Sequence, residues 1–186
     1  LLDPAFFRGL PGVSRVEIRP RRGRVANELT RFRYQVTIHV GAGAVDRLAV
    51  EWEDARGSSL ESVAARLERE RPERLALVGV TNPRLAAARL TVAWLAGGEG
   101  PESAGAFRDW VAARPVAGID PEALVRAAEE RGYRARLSWA RHDAGGAFDV
   151  VLVRTGSRGE DLPVAWPESE APPALANHPR AGQLAR

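Results

Sequence analysis

Two runs of alternating polar and apolar residues near the start of the chain predict a pair of β-strands. The first run, VSRVEIRP, puts Val16 and Ile18 on one face. The second run places every second residue on one apolar face: Phe32, Tyr34, Val36, Ile38 and Val40. Because the segment RRGRVANELT between the runs is polar and rich in arginine, we predict an antiparallel pair joined by a long basic connection.

Residues 46–155 alternate between helical and strand patterns, which predicts an α/β segment. Helices are expected at four stretches: 58–70, 82–98, around Phe107, and 120–132. The first of them has capping-box spacing at Ser58 and Glu61. Strands are expected in RLAVEWED, ERLALVGV, YRARLSWA and FDVVLVR, the last two joined as a hairpin. From residue 156 onward proline, glycine and serine dominate, so this tail is predicted to be a linker and not a core element.

The composition excludes several kinds of site and structure. The chain has 186 residues, 45% of them hydrophobic and 27% charged, which suits one modest domain or two small ones. It has no cysteine, which excludes disulfides and thiolate metal sites, and its three histidines lack the spacing of metal ligands. No apolar run approaches the roughly 20 residues that span a bilayer. Since the chain has no methionine and starts with leucine, we expect it to be an internal piece of a longer protein.

The basic residues suggest nucleic-acid binding, but other features of the sequence argue against it. The segment RVEIRPRRGRVANELTRFRY combines clustered arginines with Phe32 and Tyr34, which could hold phosphates and stack on bases. The formal net charge is only +3, however, and two acids interrupt the segment. Both aromatic residues also fall on the apolar face of the predicted strand. A nucleic-acid-binding module is therefore the weaker hypothesis, and a solvated hairpin is the simpler one.

The polar residues Asn27, Glu28 and Arg31, with Tyr34 behind them, precede and begin the second strand. From spacing alone two interpretations stay open. In one, Asn27 belongs to a turn, Glu28 and Arg31 form a solvated pair, and Tyr34 is a core residue. In the other, these side chains form a site at the entrance of the strand. The glycine-rich stretches GAGAVDR and AGGEG offer no alternative site, since neither has the order of a nucleotide-binding loop that follows a strand.

The stretch ANELTRFRYQVTIHVG resembles the Asn-Glu-Leu-Ser-x-Tyr-Arg-Tyr motif of the N-methyltransferase domains embedded in nonribosomal peptide synthetases. The matching positions are Asn27, Glu28, Leu29, Arg33 and Tyr34. Thr30 replaces the serine of the motif, and Phe32 replaces its first tyrosine. The lead-in LPGVSRVEIR and the tail LANHPRAGQLAR are similar to the family's approach to this motif and to its return to the adenylation domain.

The resemblance implies an α/β fold: the carboxy-terminal edge hairpin of a doubly wound methyltransferase sheet, followed by a small α/β segment and a proline-rich linker. Residues 1–45 would end the methyltransferase core, 46–155 would be the appended segment, and 156–186 would return to the adenylation domain. Such domains take a methyl group from S-adenosylmethionine. The E-x-G-x-G loop that holds this cofactor would lie upstream of Leu1, so we expect the isolated chain neither to bind the cofactor nor to catalyse transfer.

The resemblance also implies a substrate and partners. The acceptor would be the α-amine of an aminoacyl thioester on the phosphopantetheine of a carrier domain, and the carrier and adenylation domains would be partners in a cytoplasmic synthetase, with no membrane or nucleic acid involved. We predict that Glu28 and Tyr34 face the amine and that Arg31 positions Glu28 or the phosphopantetheine. Asn27 would fix the thioester carbonyl or the loop itself. An alternative is a structural segment that braces synthetase domains, with three tryptophans as core or contact anchors: Trp52, Trp94 and Trp110.

Overall fold

The computed structural model describes residues 3–41, 45–141 and 145–167, which form a mixed α/β fold with two sheets. The strands are β1 (Val13–Pro20), β2 (Tyr34–Val40), β3 (Trp52–Asp54), β4 (Arg74–Val80), β5 (Tyr133–Ser138) and β6 (Phe148–Arg154). The helices are α1 (Glu28–Phe32), α2 (Leu60–Glu70), α3 (Ala86–Leu95), α4 (Ala104–Ala112) and α5 (Pro121–Glu129). Short 3-10 turns cover Pro4–Gly9 and Pro83–Leu85. None of the helices in the described ranges is long and apolar enough to cross a membrane.

Strands β1 and β2 form the predicted antiparallel hairpin. Ile18 lies opposite Val36, and Pro20 lies opposite Tyr34. These pairs share one face because directly opposite residues of an antiparallel pair point to the same side. The register shifts near the start of β1, where the pairing passes from Val13 to Arg15. The alternating pattern of the sequence therefore predicts both the strands and their pairing correctly.

The connection between these strands contains a helix that the sequence analysis did not predict. Phe32 was expected on β2, but it ends α1 and its side chain is 45% exposed. The prediction was wrong because a five-residue helix contains only one apolar repeat, Leu29 and Phe32, and is too short for a helical period to be recognised. A capping box of Asn27 and Thr30 stabilises this short helix.

The second sheet has the strand order β3-β4-β6-β5. Strand β3 runs parallel to β4, and the other neighbours are antiparallel, including the predicted hairpin of β5 and β6. Helices α2 and α5 cover one face with Val63, Leu67, Leu124 and Val125, all at most 5% exposed. Along β6 the even-numbered residues face this core and the odd-numbered residues face the opposite side, so the strand is apolar on both faces.

The opposite face of this sheet is covered by a segment that was expected to be a linker. Leu48 and Val164 form an isolated parallel bridge and are 1% and 7% exposed. The ring of Trp166 lies 5.6 Å from the ring of Trp52. The expectation that no core contact follows residue 155 is therefore wrong for 162–166. A single bridge in a proline-containing segment has no periodicity, so its burial leaves no pattern in the sequence.

The helix ends follow the capping rules, with one correction. Ser59 caps α2 and exchanges hydrogen bonds with Ser62, so the expected capping box of Ser58 and Glu61 is displaced by one residue. Asp120 caps α5, which begins with proline as predicted. Trp94 of α3 stacks on Phe107 of α4 with ring centroids 4.2 Å apart. Helix α3 has no buried residue, although most of its side chains are apolar.

Candidate functional site

The predicted site residues lie in and beside α1, at the tip of the β1–β2 hairpin. Helix α1 starts at Glu28, and β2 starts at Tyr34, so these two residues stand at opposite ends of the helical turn. A five-residue helix rises about 7 Å. The two residues are therefore separated along the chain by a single short helix.

Asn27 is the N-cap of α1, and Thr30 completes a capping box with it. The Asn27 Oδ1 atom accepts a hydrogen bond from the Thr30 amide at 3.1 Å. In return, Thr30 Oγ1 accepts from the Asn27 amide at 3.1 Å and donates to the Val25 carbonyl at 2.8 Å. Thr30 is only 6% exposed. Of the two roles considered for Asn27, these contacts support the one in which it fixes the loop.

Glu28 projects into solvent, with 75% of its side chain exposed. Its cationic neighbour is Arg33, whose Nη2 atom lies 3.7 Å from Glu28 Oε1. Arg31 was expected to position Glu28 or the phosphopantetheine, and among the described residues the ion pair with Glu28 comes from Arg33 instead. Arg31 is exposed, and its backbone amide donates to the Asn27 carbonyl at 3.0 Å.

Tyr34 is half-buried, and its ring meets the ring of Phe7 edge-on with centroids 6.4 Å apart. Burial raises the pKa of the Tyr34 phenol, and the negative charge of Asp3 raises it further. A phenol with a raised pKa stays protonated near neutral pH, so Tyr34 can donate or accept a hydrogen bond there but cannot serve as an anionic base.

The connection that carries these residues is tied to the distant amino end of α5. The Arg22 guanidinium makes two hydrogen bonds to the Glu122 carboxylate, at 2.8 and 3.1 Å, and the Gly23 amide makes a third at 3.3 Å. Arg84 donates to the Gly23 carbonyl at 2.7 Å and to the Asp120 carboxylate at 2.6 and 3.0 Å. We call these five residues the anchoring network. The anchoring network joins the hairpin connection to a helix about 100 residues away. Its contacts leave no spacing pattern in the sequence.

The opposite charges of the anchoring network stabilise each other's ionised forms. The hydrogen bond from Arg22 lowers the pKa of Glu122, against the opposing effect of burial, and the same bond raises the pKa of Arg22. Burial alone would raise the pKa of Asp120, but the bonds from Arg84 and from the backbone amides of α5 outweigh it, and the pKa is lowered. Both carboxylates are therefore ionised near neutral pH, where they hold the connection most strongly.

The described residues do not form a binding loop for S-adenosylmethionine. Gly97, Gly98 and Gly100 follow helix α3, whereas a loop that holds this cofactor follows a strand and opens a helix. The first Gly-rich stretch, GAGAVDR, falls partly at residues 42–44, outside the described residues.

The arginines near β1 are largely engaged with carboxylates, which weakens the nucleic-acid hypothesis. Glu17 pairs with Arg15 at 3.2 Å and also with Arg19. Arg134 on β5 pairs with Glu160 and Asp161 at 3.2 and 2.8 Å. Together with the Arg22 pair, these contacts neutralise most of a cleft of about 440 Å³ between β1 and β5. Of the two aromatic side chains expected to stack on bases, Tyr34 already packs on Phe7.

Comparison with known proteins shows similarity to parts of nonribosomal peptide synthetases. The chain is 31% identical to chondramide synthase of Chondromyces crocatus, over 100% of its own length and 5% of the relative. It is 30% identical to a nonribosomal peptide synthetase of Aspergillus flavus, over 98% of the chain and 3% of the relative. Cyclosporin synthetase of Tolypocladium inflatum is 29% identical over 87% of the chain and 1% of its own length. No model of a known protein family matches the chain. The chain thus resembles, over nearly its whole length, one segment of these synthetases.

Proposed function

We propose that this chain is the carboxy-terminal portion of an N-methyltransferase region within a nonribosomal peptide synthetase. In this proposal the complete region transfers a methyl group from S-adenosylmethionine to the α-amine of an aminoacyl thioester held on a carrier domain. The neighbouring adenylation and carrier domains are its partners in the cytoplasm. The similarity to synthetase segments and the match of Asn27–Tyr34 to the family motif support this function.

The observation that carries the proposal is the arrangement at the hairpin tip. A capping box holds α1 in place, and this helix presents the Glu28 carboxylate to solvent at one end while Tyr34 begins β2 at the other. The contacts of the Glu28 carboxylate within the described fold add little to stability: a solvated 3.7 Å pair with Arg33 and a place in the first turn of the short helix α1. A solvated carboxylate on a capped turn is suited to contact a substrate.

The chemistry gives each residue a role. An α-amine titrates near pH 7.7–8.0, and only its neutral form has a lone pair with which to attack a methyl group. The Glu28 carboxylate would accept a hydrogen bond and then a proton from this nitrogen, while the protonated Tyr34 phenol would orient it. Asn27 would act indirectly by fixing α1, and Arg31 would position the phosphopantetheine of the carrier. The cofactor, bound elsewhere in the synthetase, supplies the methyl group.

Exposed apolar side chains on the hairpin are compatible with its place at the edge of a larger sheet. Ile38 and Val40 of β2 are 39% and 77% exposed, and Leu29 and Phe32 of α1 are 47% and 45% exposed. Exposed apolar groups of this size can mark a surface that a neighbour covers. In the proposal this neighbour is the cofactor-binding part of the methyltransferase.

The test compares Glu28→Gln and Tyr34→Phe with the wild type in the complete synthetase module. Single-turnover transfer of labelled methyl to the aminoacyl-carrier thioester is measured with the cofactor saturating. We expect each variant to slow transfer at least tenfold, because each removes one hydrogen bond to the reacting group. Glu102→Gln, on an exposed loop far from α1 in sequence, is the control and should leave the rate unchanged. Wild-type rates in both test variants would refute the assignment.

A second candidate function is the bracing of synthetase domains, and helix α3 favours it. A mostly apolar helix normally buries part of its surface, yet α3 has no buried residue, and Val92 and Leu95 are 68% and 73% exposed. Trp94 is already engaged by Phe107, and Trp110 by Arg114, whose guanidinium carbon lies 3.6 Å from the ring centroid. If bracing is the function, Leu95→Asp should loosen the module in limited proteolysis while Glu28→Gln has no effect on methyl transfer.

A further inference from the structure

A second, smaller cleft lies where the start of β1 meets the end of β5 and the segment that covers the sheet. Its volume is about 170 Å³. Three arginines and a serine supply its polar lining: Arg8, Ser14, Arg15 and Arg47. The remaining lining is apolar: Val13, Val16, Ala140, Val164 and Trp166. None of these lining residues carries a carboxylate, so we call this site the arginine cleft.

The positive charge of the arginine cleft is poorly compensated. Arg8 donates to the backbone carbonyl of Ala140, which carries no formal charge. Neither Arg8 nor Arg47 forms an ion pair with any residue that the structure describes. Arg15 pairs with Glu17, but the same carboxylate also serves Arg19 on the outer side of β1. One negative charge is thus divided between two guanidinium groups.

The larger cleft between β1 and β5 provides the contrast. There the guanidinium groups of Arg22 and Arg134 each have a carboxylate of their own, at 2.8 Å from Glu122 and at 2.8 Å from Asp161. Like charges held close together in a partly desolvated site repel one another unless an opposite charge joins them. Two carboxylates, Glu17 and Asp161, line the larger cleft, whereas none lines the arginine cleft.

We propose that the arginine cleft binds a phosphate group. Arginine recognises phosphate oxygens by paired hydrogen bonds. The Ser14 hydroxyl already donates to the His39 carbonyl at 3.1 Å, so the arginines carry the recognition. The volume of the cleft admits one phosphate and a few attached atoms, and the apolar wall with Trp166 would pack against those atoms. The phosphate could be free inorganic phosphate or the phosphodiester of a carrier's pantetheine arm. The second source rests on the proposed function.

The position of the cleft suits an elongated ligand of this kind. The cleft touches Val13–Val16 at the start of β1, while the predicted amine site lies beyond Pro20 at the other end of the same strand. A strand advances about 3.3 Å per residue, so the two sites are separated by roughly 15–20 Å. A pantetheine arm carries its phosphate at one end and its thioester at the other, so both ends would be held at once.

The test is calorimetric titration of the full 186-residue chain, without cofactor, at constant ionic strength. One arm uses inorganic phosphate and the other uses 4′-phosphopantetheine. We expect binding in at least one arm, and we expect Arg8→Gln and Arg47→Gln each to weaken it about tenfold, the loss of one charge-assisted hydrogen bond. Arg69→Gln is the control, because Arg69 is 72% exposed and already paired with Glu70. Circular dichroism confirms that each variant is folded.

The outcomes separate the parts of the proposal. Tighter binding of 4′-phosphopantetheine than of phosphate supports the carrier arm as the ligand, whereas equal binding supports phosphate alone and refutes the arm. No binding in either arm at about 10 mM, or equal losses in Arg69→Gln and the cleft variants, overturns the site. Since no methyl transfer is measured, failure here leaves the Glu28 and Tyr34 experiment untouched, and failure of that experiment does not affect this titration.

Discussion

The buried ion pair of Arg84 and Asp120 gives the sharpest test of how this fold is held together. Only 5% of the Arg84 side chain is exposed, whereas 37% of the Asp120 side chain is. Asp120 has two functions, since its Oδ1 atom also caps α5 by accepting from the amides of Glu122 and Ala123 at 2.9 and 3.0 Å. Two substitutions separate these functions. Asp120→Asn keeps a capping side chain and loses the charge, and Asp120→Ala loses both.

The magnitude follows from the burial of each partner. Removing one member of a buried pair costs about 3–5 kcal/mol. Because a third of Asp120 is exposed, solvent screens part of this interaction, and we expect Asp120→Asn to lower the free energy of unfolding by about 2 kcal/mol. Loss of the N-cap adds about 1 kcal/mol, so Asp120→Ala should cost about 3 kcal/mol. The exposed pair of Asp54 and Arg56 is the matched control, and Asp54→Asn should cost less than about 1 kcal/mol.

Urea unfolding followed by circular dichroism measures these differences, since the denaturation midpoint should fall while the slope stays constant. The pKa of Asp120 is lowered in the folded state, so its contribution is present above the unfolded pKa of about 3.9 and is lost as the pH falls through the folded pKa. The gap between the wild type and Asp120→Asn should therefore close on acidification below about pH 4. An Asp120→Asn protein within 0.5 kcal/mol of the wild type at pH 7 would refute the reasoning.

Three further substitutions test single contacts, each by urea unfolding beside a control. Thr30→Val removes the buried hydroxyl that bonds the Val25 carbonyl and should cost about 1–3 kcal/mol, whereas Thr91→Val, whose hydroxyl bonds within an exposed helix, should cost under about 0.5 kcal/mol. Gly118→Ala should destabilise the fold more than Gly57→Ala. At Gly118, φ is +121° and a Cβ would lie 2.3 Å from the Thr81 carbonyl oxygen, whereas at Gly57 φ is +81° and the space is open. Val164→Ala should lower the free energy of unfolding by about 1.5 kcal/mol, and an unchanged stability would favour the linker interpretation of its segment. Val116→Ala is its control, because Val116 is 54% exposed.

The regular strands and helices could be predicted from the sequence because their patterns repeat. The hairpin of β1 and β2 repeats its apolar residues with period two, and α5 is marked by Asp120 and Pro121 at its start. Helix α1 and the bridge at Val164 could not be predicted, since neither is long enough to show a period. In the candidate site, the motif predicts which residues matter, whereas the folded structure shows that Asn27 is a cap and that Arg33 lies beside Glu28.

The contacts of the hairpin connection also change the role of the segment that follows it. From the sequence, residues 46–155 are predicted only to be an appended segment. In the structure, Arg84, Asp120 and Glu122 all come from this segment and hold Gly23 and Arg22. Gly23 in turn lies against Thr30, which completes the capping box of α1, because a Cβ at position 23 would lie 2.9 Å from the Thr30 methyl group. The anchoring network therefore crosses the boundary predicted at residue 45. If the tip of the hairpin contacts an acceptor amine, its position depends on α5, and a substitution at Asp120 should raise hydrogen exchange at the Thr30 amide before it unfolds the sheet.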